Sequence, residues 1–462
     1  MSRIHVTAFV GAAIALAAAV PFPTSTAEAA GASPPLMDIH QLKPGDKGYG
    51  LTVFSGTTPE RFDVEVIGVL DNFLPHQDLV LVKTDHPRLQ VAKVVAGMSG
   101  SPVYIGGKMI GAYAYGWQFG EESVAGVTPI SAMLDELQRP IPPEVLEPLP
   151  TQPVARAASA RRVPPSGHRF AGMPTSYTIE SHAKQVASRV MPSSGGANGV
   201  NPTPVATPVM VGGVNDATLS VLRNHLSPLG LEPIQGGGGA GRQDPNAPTR
   251  YVDGGAIGVE LIRGDISAAG IGTVTRVQGN RLLAFGHPMM NSGVTRLPTA
   301  ISKVHWILAS KMRSFKIGTP VRSVGSLIND RQAAIVVDSN VRPPMIPFEL
   351  DIRGVKGAPH PKWSVKVAHE QFMAPMFLAI AMGNALDATT RERRDVSWHA
   401  YTTVNVRGRG EVTLHDFGVA VGGTPNASAF MRSRAVEAVG ALLNNPWSPV
   451  EIASVKTRLN VR

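Results

Sequence analysis

One run of residues restricts this chain's fold more than any other. It starts at a serine turn enclosed by glycines, Gly97-Met98-Ser99-Gly100-Ser101-Pro102, and enters an apolar strand, Val103-Tyr104-Ile105. Gly106-Gly107 then fits a two-residue hairpin tip, because such tips need positive φ angles that glycine adopts freely. Residues 108–115 read as the returning strand, 124–130 as another, and 131–138 as a helix. Short apolar runs punctuated by glycine predict antiparallel β structure.

The same grammar extends over much of the 462-residue chain, whose 48 glycines and 39 prolines favour turns and strands over a helical bundle. In residues 38–140, Phe62-Asp63-Val64-Glu65-Val66 has a period of two and 79–82 reads as a buried strand. Residues 141–205, rich in Pro, Ala, Ser and Arg, read as a flexible linker, most plainly at 193–201, with one short helix within 177–190. Residues 206–345 return to β character after a helix at 216–229, and Gly236 to Gly239 marks an exposed loop. Residues 346–462 read as an α+β region, with strands at 363–368, 396–406, 411–419 and 451–461 and helices at 373–386 and 428–443.

Residues 1–29 read as a signal peptide: Arg3, an apolar run from 6 to 20, and Ala27-Glu28-Ala29 as a small-x-small cleavage site. That run falls short of the roughly 20 apolar residues a membrane span needs. The expectation is export by the secretory route to the periplasm or outside the cell, with no transmembrane segment once the signal is removed. The absence of cysteine excludes disulfides, thiol catalysis and Cys-type zinc sites. The net charge of +9 is scattered, which predicts attraction to anionic surfaces and no nucleic-acid recognition. No phosphate loop, dinucleotide fingerprint or His-Glu-x-x-His occurs, so neither cofactor nor metal is expected; His369-Glu370 and His415-Asp416 are pairs too short to assign. Oligomeric state has no sequence signature here.

Ser99 is the candidate nucleophile. A serine on so tight a turn brings the backbone N–H groups of Gly97 and Ser99 toward one space, where they form an oxyanion hole. The plainer reading is a turn whose two serines bond only the backbone. A serine hydroxyl needs a neighbouring base. Of 13 histidines, His287 has the most telling context: a strand at 270–275, a turn at Gln278-Gly279-Asn280, a strand at 281–285, and Gly286-His287-Pro288 at its end. Its plainer reading is a capping histidine. His86, beside Asp85, is the runner-up.

The succession from Ser99 to the helix at 131–138 resembles the second barrel of trypsin-like peptidases of the HtrA kind. Val95-Ala96-Gly97-Met98-Ser99-Gly100-Ser101-Pro102, with Gly270-Ile271-Gly272-Thr273-Val274-Thr275 and Phe285-Gly286-His287-Pro288, resembles the SpoIVB-type serine peptidase family. The resemblance implies a trypsin-like double β-barrel, with a serine-bearing half at 38–140 and a histidine-bearing half at 206–345. The two halves come in permuted order, since here the serine piece comes first. It implies a serine endopeptidase acting on protein or peptide substrates, with Ser99, which precedes the Gly-x-Pro, as nucleophile, His287 as base, and Asp85 as the acid; Asp265 and Asp330 are alternatives. The rival expectation is a catalytically silent envelope binding or scaffold protein that keeps the fold.

Overall fold

The computed structural model describes residues 34–117, 120–148, 179–189, 202–237, 244–358, 360–390, 395–421, 427–445 and 450–462. The expected signal peptide and the stretch at 193–201 lie outside these residues.

The first part of the chain supplies β1 (Lys47–Thr52), β2 (Glu60–Leu74), β3 (Gln77–Asp85), β4 (Val95–Ala96), β5 (Pro102–Ile105), β6 (Lys108–Gly116) and β7 (Val124–Pro129). The period-two pattern of β2 sends Phe62, Val64 and Val66 inward and Arg61, Asp63 and Glu65 outward. The strands pair antiparallel in the order β5-β1-β2-β3-β7-β6, and β6 returns to β5, closing a six-strand barrel. Inside it Phe54, Phe62, Val80, Val82, Ile110, Tyr113 and Val127 form one apolar cluster; each such side chain contributes about 1.5–3 kcal/mol when fully buried. Gly106-Gly107 makes the predicted hairpin tip between β5 and β6, both with positive φ.

The end of the expected linker is ordered. Thr203–Pro204 forms β8, which pairs antiparallel with Tyr115 and Gly116 of β6 and adds a seventh strand to the first sheet. The helix within the linker spans Ile179–Arg189.

A second sheet begins with β9 (Thr207–Gly212), β10 (Leu231–Gln235), β11 (Ala256–Gly264), β12 (Ser267–Gln278), β13 (Arg281–Ala284), β14 (Gly293–Leu308), β15 (Ser314–Arg331) and β16 (Ala334–Asp338). Among these, β11-β12-β13-β16-β15-β14 pair antiparallel, and β14 returns to β11, so a second six-strand circuit closes. The sheet then continues from β11 through β18 (Lys362–Ala368), β17 (Met345–Arg353), β21 (Ile452–Val461), β19 (Val396–Val406) and β20 (Gly410–Ala420). The helix Met373–Thr390 is buried on nearly every side, four residues longer than its sequence pattern indicates. The helix expected at 428–443 is broken into Ala427–Phe430 and Arg434–Leu443, because Ser433 turns out of helix to cap the N–H of Val436.

The sheets meet beside the serine turn. Val95 and Ala96 of β4 pair in parallel with Ser314 and Phe315 of β15, so the chain enters the turn directly from the second sheet's edge.

Candidate functional site

Ser99 follows β4 on a turn with φ of +92° at Gly97 and +94° at Gly100, angles that side chains rarely tolerate. Gly100 has a second reason to be glycine: a Cβ there would lie 2.0 Å from the Thr273 carbonyl oxygen and 2.4 Å from the Phe285 nitrogen. The turn is held from both sheets. Within its own barrel, Gly100 N–H donates to Tyr113 O (2.7 Å) and Ser101 N–H to Met98 O (2.9 Å). From the second sheet, Thr273 N–H donates to Ser99 O (2.9 Å), Thr273 Oγ1 to Gly97 O (3.0 Å), and Thr275 Oγ1 to Gly100 O (2.8 Å).

The two serines differ in kind. Ser101 Oγ donates to Met98 O at 2.6 Å, the plain turn-bonding role. Ser99 is fully buried, and its Oγ has no hydrogen-bond partner. The turn's N–H groups divide similarly. Met98, Gly100 and Ser101 all donate to carbonyls, whereas Gly97 and Ser99 donate to no acceptor among the described residues. An unpartnered buried hydroxyl and two free N–H groups each carry a desolvation cost, and at one turn they form an arrangement ready to receive a carbonyl.

His287 follows β13. That strand stops at Ala284, one residue before the sequence pattern indicates, because Phe285 and Gly286 both adopt φ of +71°. The reversal leads into the first barrel: Thr128 Oγ1 donates to Gly286 O at 2.6 Å, and a Cβ on Gly286 would lie 2.9 Å from Ala114 Cβ. The imidazole is 2 % exposed; Nδ1 bonds Pro288 O at 2.8 Å and Nε2 has no partner. Burial pushes the ring down to about 4, opposed by the backbone carbonyls of Pro288 and Val205 lying against it, so it is neutral at pH 7. Ser99 and His287 are thus within two residues of one backbone contact, Gly100 against Phe285, but their side chains do not hydrogen-bond each other.

Asp85 is not brought to this place. It is exposed on β3 and accepts from Gln90 Nε2 at 3.1 Å, while the nitrogen an acid would orient is taken by Pro288 O. Asp265 is also elsewhere, accepting from Ser364 N–H at 2.6 Å. Asp330 is close but acts on the loop: fully buried, it accepts from the N–H groups of Met289 (2.8 Å), Met290 (2.9 Å) and Ser292 (3.1 Å), just after His287. His86 stacks on Phe54 and its Nδ1 accepts from Arg88 N–H, capping a helix. Glu370 and Asp416 cap helices in the same way.

One residue escaped the sequence reading. Lys316 of β15 is 0 % exposed, pairs with no carboxylate among the described residues, and donates to Thr52 Oγ1 (2.7 Å) and Thr273 Oγ1 (3.1 Å). Burial pushes its ammonium down to about 7. It fixes the hydroxyl that holds Gly97 O. In Ser314-Phe315-Lys316-Ile317 it alternates with apolar residues as a solvent-facing lysine does, so only the packing reveals it.

Comparisons with protein-family models, with curated proteins and with solved structures find no match to this chain. No helix among the described residues is long and apolar enough to cross a membrane.

Proposed function

We propose that the chain is an exported serine endopeptidase of the SpoIVB type, built as a trypsin-like double barrel with its halves in permuted order. The observation that carries this reading is a buried, unpartnered Ser99 Oγ on a turn with free N–H groups at Gly97 and Ser99, where Gly100 lies against the backbone of Phe285, two residues before His287, whose buried Nε2 is also unpartnered. Ordinary turns satisfy such groups. The two closed six-strand circuits, one bearing each residue, support the architectural half of the reading.

In this mechanism a substrate carbonyl enters beside Ser99, its oxygen facing the N–H groups of Gly97 and Ser99. Ser99 Oγ attacks the carbonyl carbon while His287 Nε2 takes the hydroxyl proton, then passes it to the leaving amine. Water hydrolyses the resulting ester by the reverse sequence. Pro288 O orients the ring in place of a carboxylate, so the site works as a dyad steadied by backbone. Contacts between such groups are often loose without substrate and tighten in the complex. No cofactor enters the scheme.

The silent scaffold is favoured by one observation, the missing Ser99–His287 hydrogen bond. Hydrolysis of a casein-type substrate separates the two readings: activity in the purified chain that is lost in Ser99→Ala and in His287→Ala supports the peptidase. Equal activity in the three proteins, or none in any, supports the scaffold.

A further inference from the structure

Lys316 reaches the serine turn from the second sheet. Its side chain runs past Gly97: a Cβ placed on that glycine would lie 3.2 Å from Lys316 Cβ and 3.4 Å from its Cδ. At its end, Nζ donates to Thr52 Oγ1 at 2.7 Å and to Thr273 Oγ1 at 3.1 Å. Thr273 Oγ1 in turn donates to Gly97 O at 3.0 Å, while the N–H of the same threonine donates to Ser99 O at 2.9 Å. One residue thus grips the turn on both sides of Met98, and Lys316 fixes the direction of one grip. An ammonium has three N–H donors and no acceptor. The Thr273 hydroxyl can therefore only accept from it, and places its own proton on Gly97 O. A neutral amine has a lone pair, which competes with Gly97 O for that proton. The elements around Lys316 present Thr52 on β1, Thr273 on β12, Gly97 on the turn, Val95 and Ala96 on β4 and Ile307 on β14, none of them charged. Burial alone holds the ammonium at about 7 against the ordinary 10.5. A buried cation with no counter-ion costs stability, so its presence here calls for another reason than packing.

Resting on the peptidase reading, we propose that Lys316 is a positioning residue for the oxyanion turn, that it acts through Thr273, and that it acts only as an ammonium, so that loss of one buried proton switches hydrolysis off at alkaline pH. With the proton in place, the Thr273 hydroxyl holds Gly97 O, and the N–H groups of Gly97 and Ser99 keep their common aim. With it gone, the hydroxyl turns to the amine, Gly97 O is released, and the two donors lose that aim. The active range is then bounded below by His287, whose ring must be neutral, and above by Lys316, which must be charged. Stability moves the other way. Below pH 7 both the folded and unfolded chains hold the lysine proton, and the folded state bears the whole cost of the buried charge. Between 7 and 10.5 only the unfolded chain keeps the proton, so this group raises stability as pH rises. Unfolding at Lys316 therefore does not account for an alkaline loss of activity.

The pH dependence of kcat on a casein-type substrate, with fluorophosphonate labelling of Ser99 read in parallel, tests this. The parent chain is expected to lose activity as pH rises through about 7. Lys316→Met removes that limb, lowers kcat about tenfold or more and leaves KM within about twofold. It also raises the urea midpoint at about pH 6, where the buried charge is no longer borne; a merely structural lysine would lower it. Thr273→Val, which removes the relay and leaves the charge, abolishes the same limb, and the double variant loses no more than Lys316→Met alone. Thr273→Ser, which keeps the hydroxyl, retains the limb. The threonine variants carry the test should Lys316→Met fail to fold. No limb near 7 in the parent chain, a limb that survives Lys316→Met or Thr273→Val, or additive losses in the double variant overturns the role of Lys316 while hydrolysis stands. A parent chain that neither hydrolyses nor labels at any pH overturns the peptidase reading with it.

Discussion

The two six-strand circuits each hold one of the residues that matter, yet neither holds it alone. In the first barrel the serine turn is fixed largely by the second sheet, through Thr273 and Thr275. In the second, the reversal before His287 is fixed by the first barrel, through Thr128 and the close approach of Ala112 and Ala114. Support within each circuit is different: the serine turn leans on Tyr113 O, whereas the loop after His287 is held by the buried carboxylate of Asp330. Both segments are therefore held where the two circuits meet. Positioning residues for each group are to be sought in the opposite barrel.

The largest test of that view removes the attacking atom. Ser99→Ala is expected to lower kcat/KM by about 10³-fold or more, with Ser101→Ala retaining most activity; comparable losses from both would erase the distinction between the serines. Gly100→Ala comes next. A Cβ there meets the second sheet's backbone at positive φ, which should destabilise the fold by about 3 kcal/mol or more, read as a lowered urea midpoint. An unchanged midpoint means the turn is not clamped.

The His287 ring gives a third test of similar size. Its folded pKa of about 4 lies below the unfolded value of 6.5. Above pH 6.5 both states are neutral; as pH falls toward 4 the unfolded chain takes the proton first. This histidine thus contributes stability at neutral pH that is lost between 6.5 and 4, about 3 kcal/mol in full. His287→Asn should flatten that part of the stability profile. The acid limb of kcat/KM in the parent chain should fall near pH 4, and a limb near 6.5 contradicts a buried neutral base.

Thr273→Val sharpens the cross-barrel claim. It frees Gly97 O and removes one of the two acceptors of Lys316, with an expected cost of about 1–3 kcal/mol and a fall in kcat larger than the change in KM. The smallest effect is expected at Asp85, where Asn should shift stability by no more than about 0.5 kcal/mol and leave activity within twofold. A large loss there restores Asp85 as the acid.

How much was legible in the sequence follows from the range of each interaction. The Gly-Gly hairpin, the alternation in β2 and the glycines of the serine turn are local demands of backbone geometry, and they could be read directly. So could the place of His287 after a hairpin. What is not legible is long-range: β3 turns Asp85 to solvent, and the His287 Nδ1 is bonded instead by the carbonyl of the adjacent Pro288. Lys316 and Thr273 could not be read because their partners are far away in the chain. The composition of 141–205 marks a linker but not its last residues, where Thr203 and Pro204 pair with Gly116 and Tyr115 of β6, beyond the stretch of that strand that β5 covers.

The most direct test of the interface account is peptide mapping of the chain after reaction with a fluorophosphonate, compared with His287→Ala. The account predicts one adduct, on the peptide containing Ser99, formed at least a hundredfold more slowly when the imidazole is gone. An adduct on another residue, or one on Ser99 whose rate ignores His287, contradicts it.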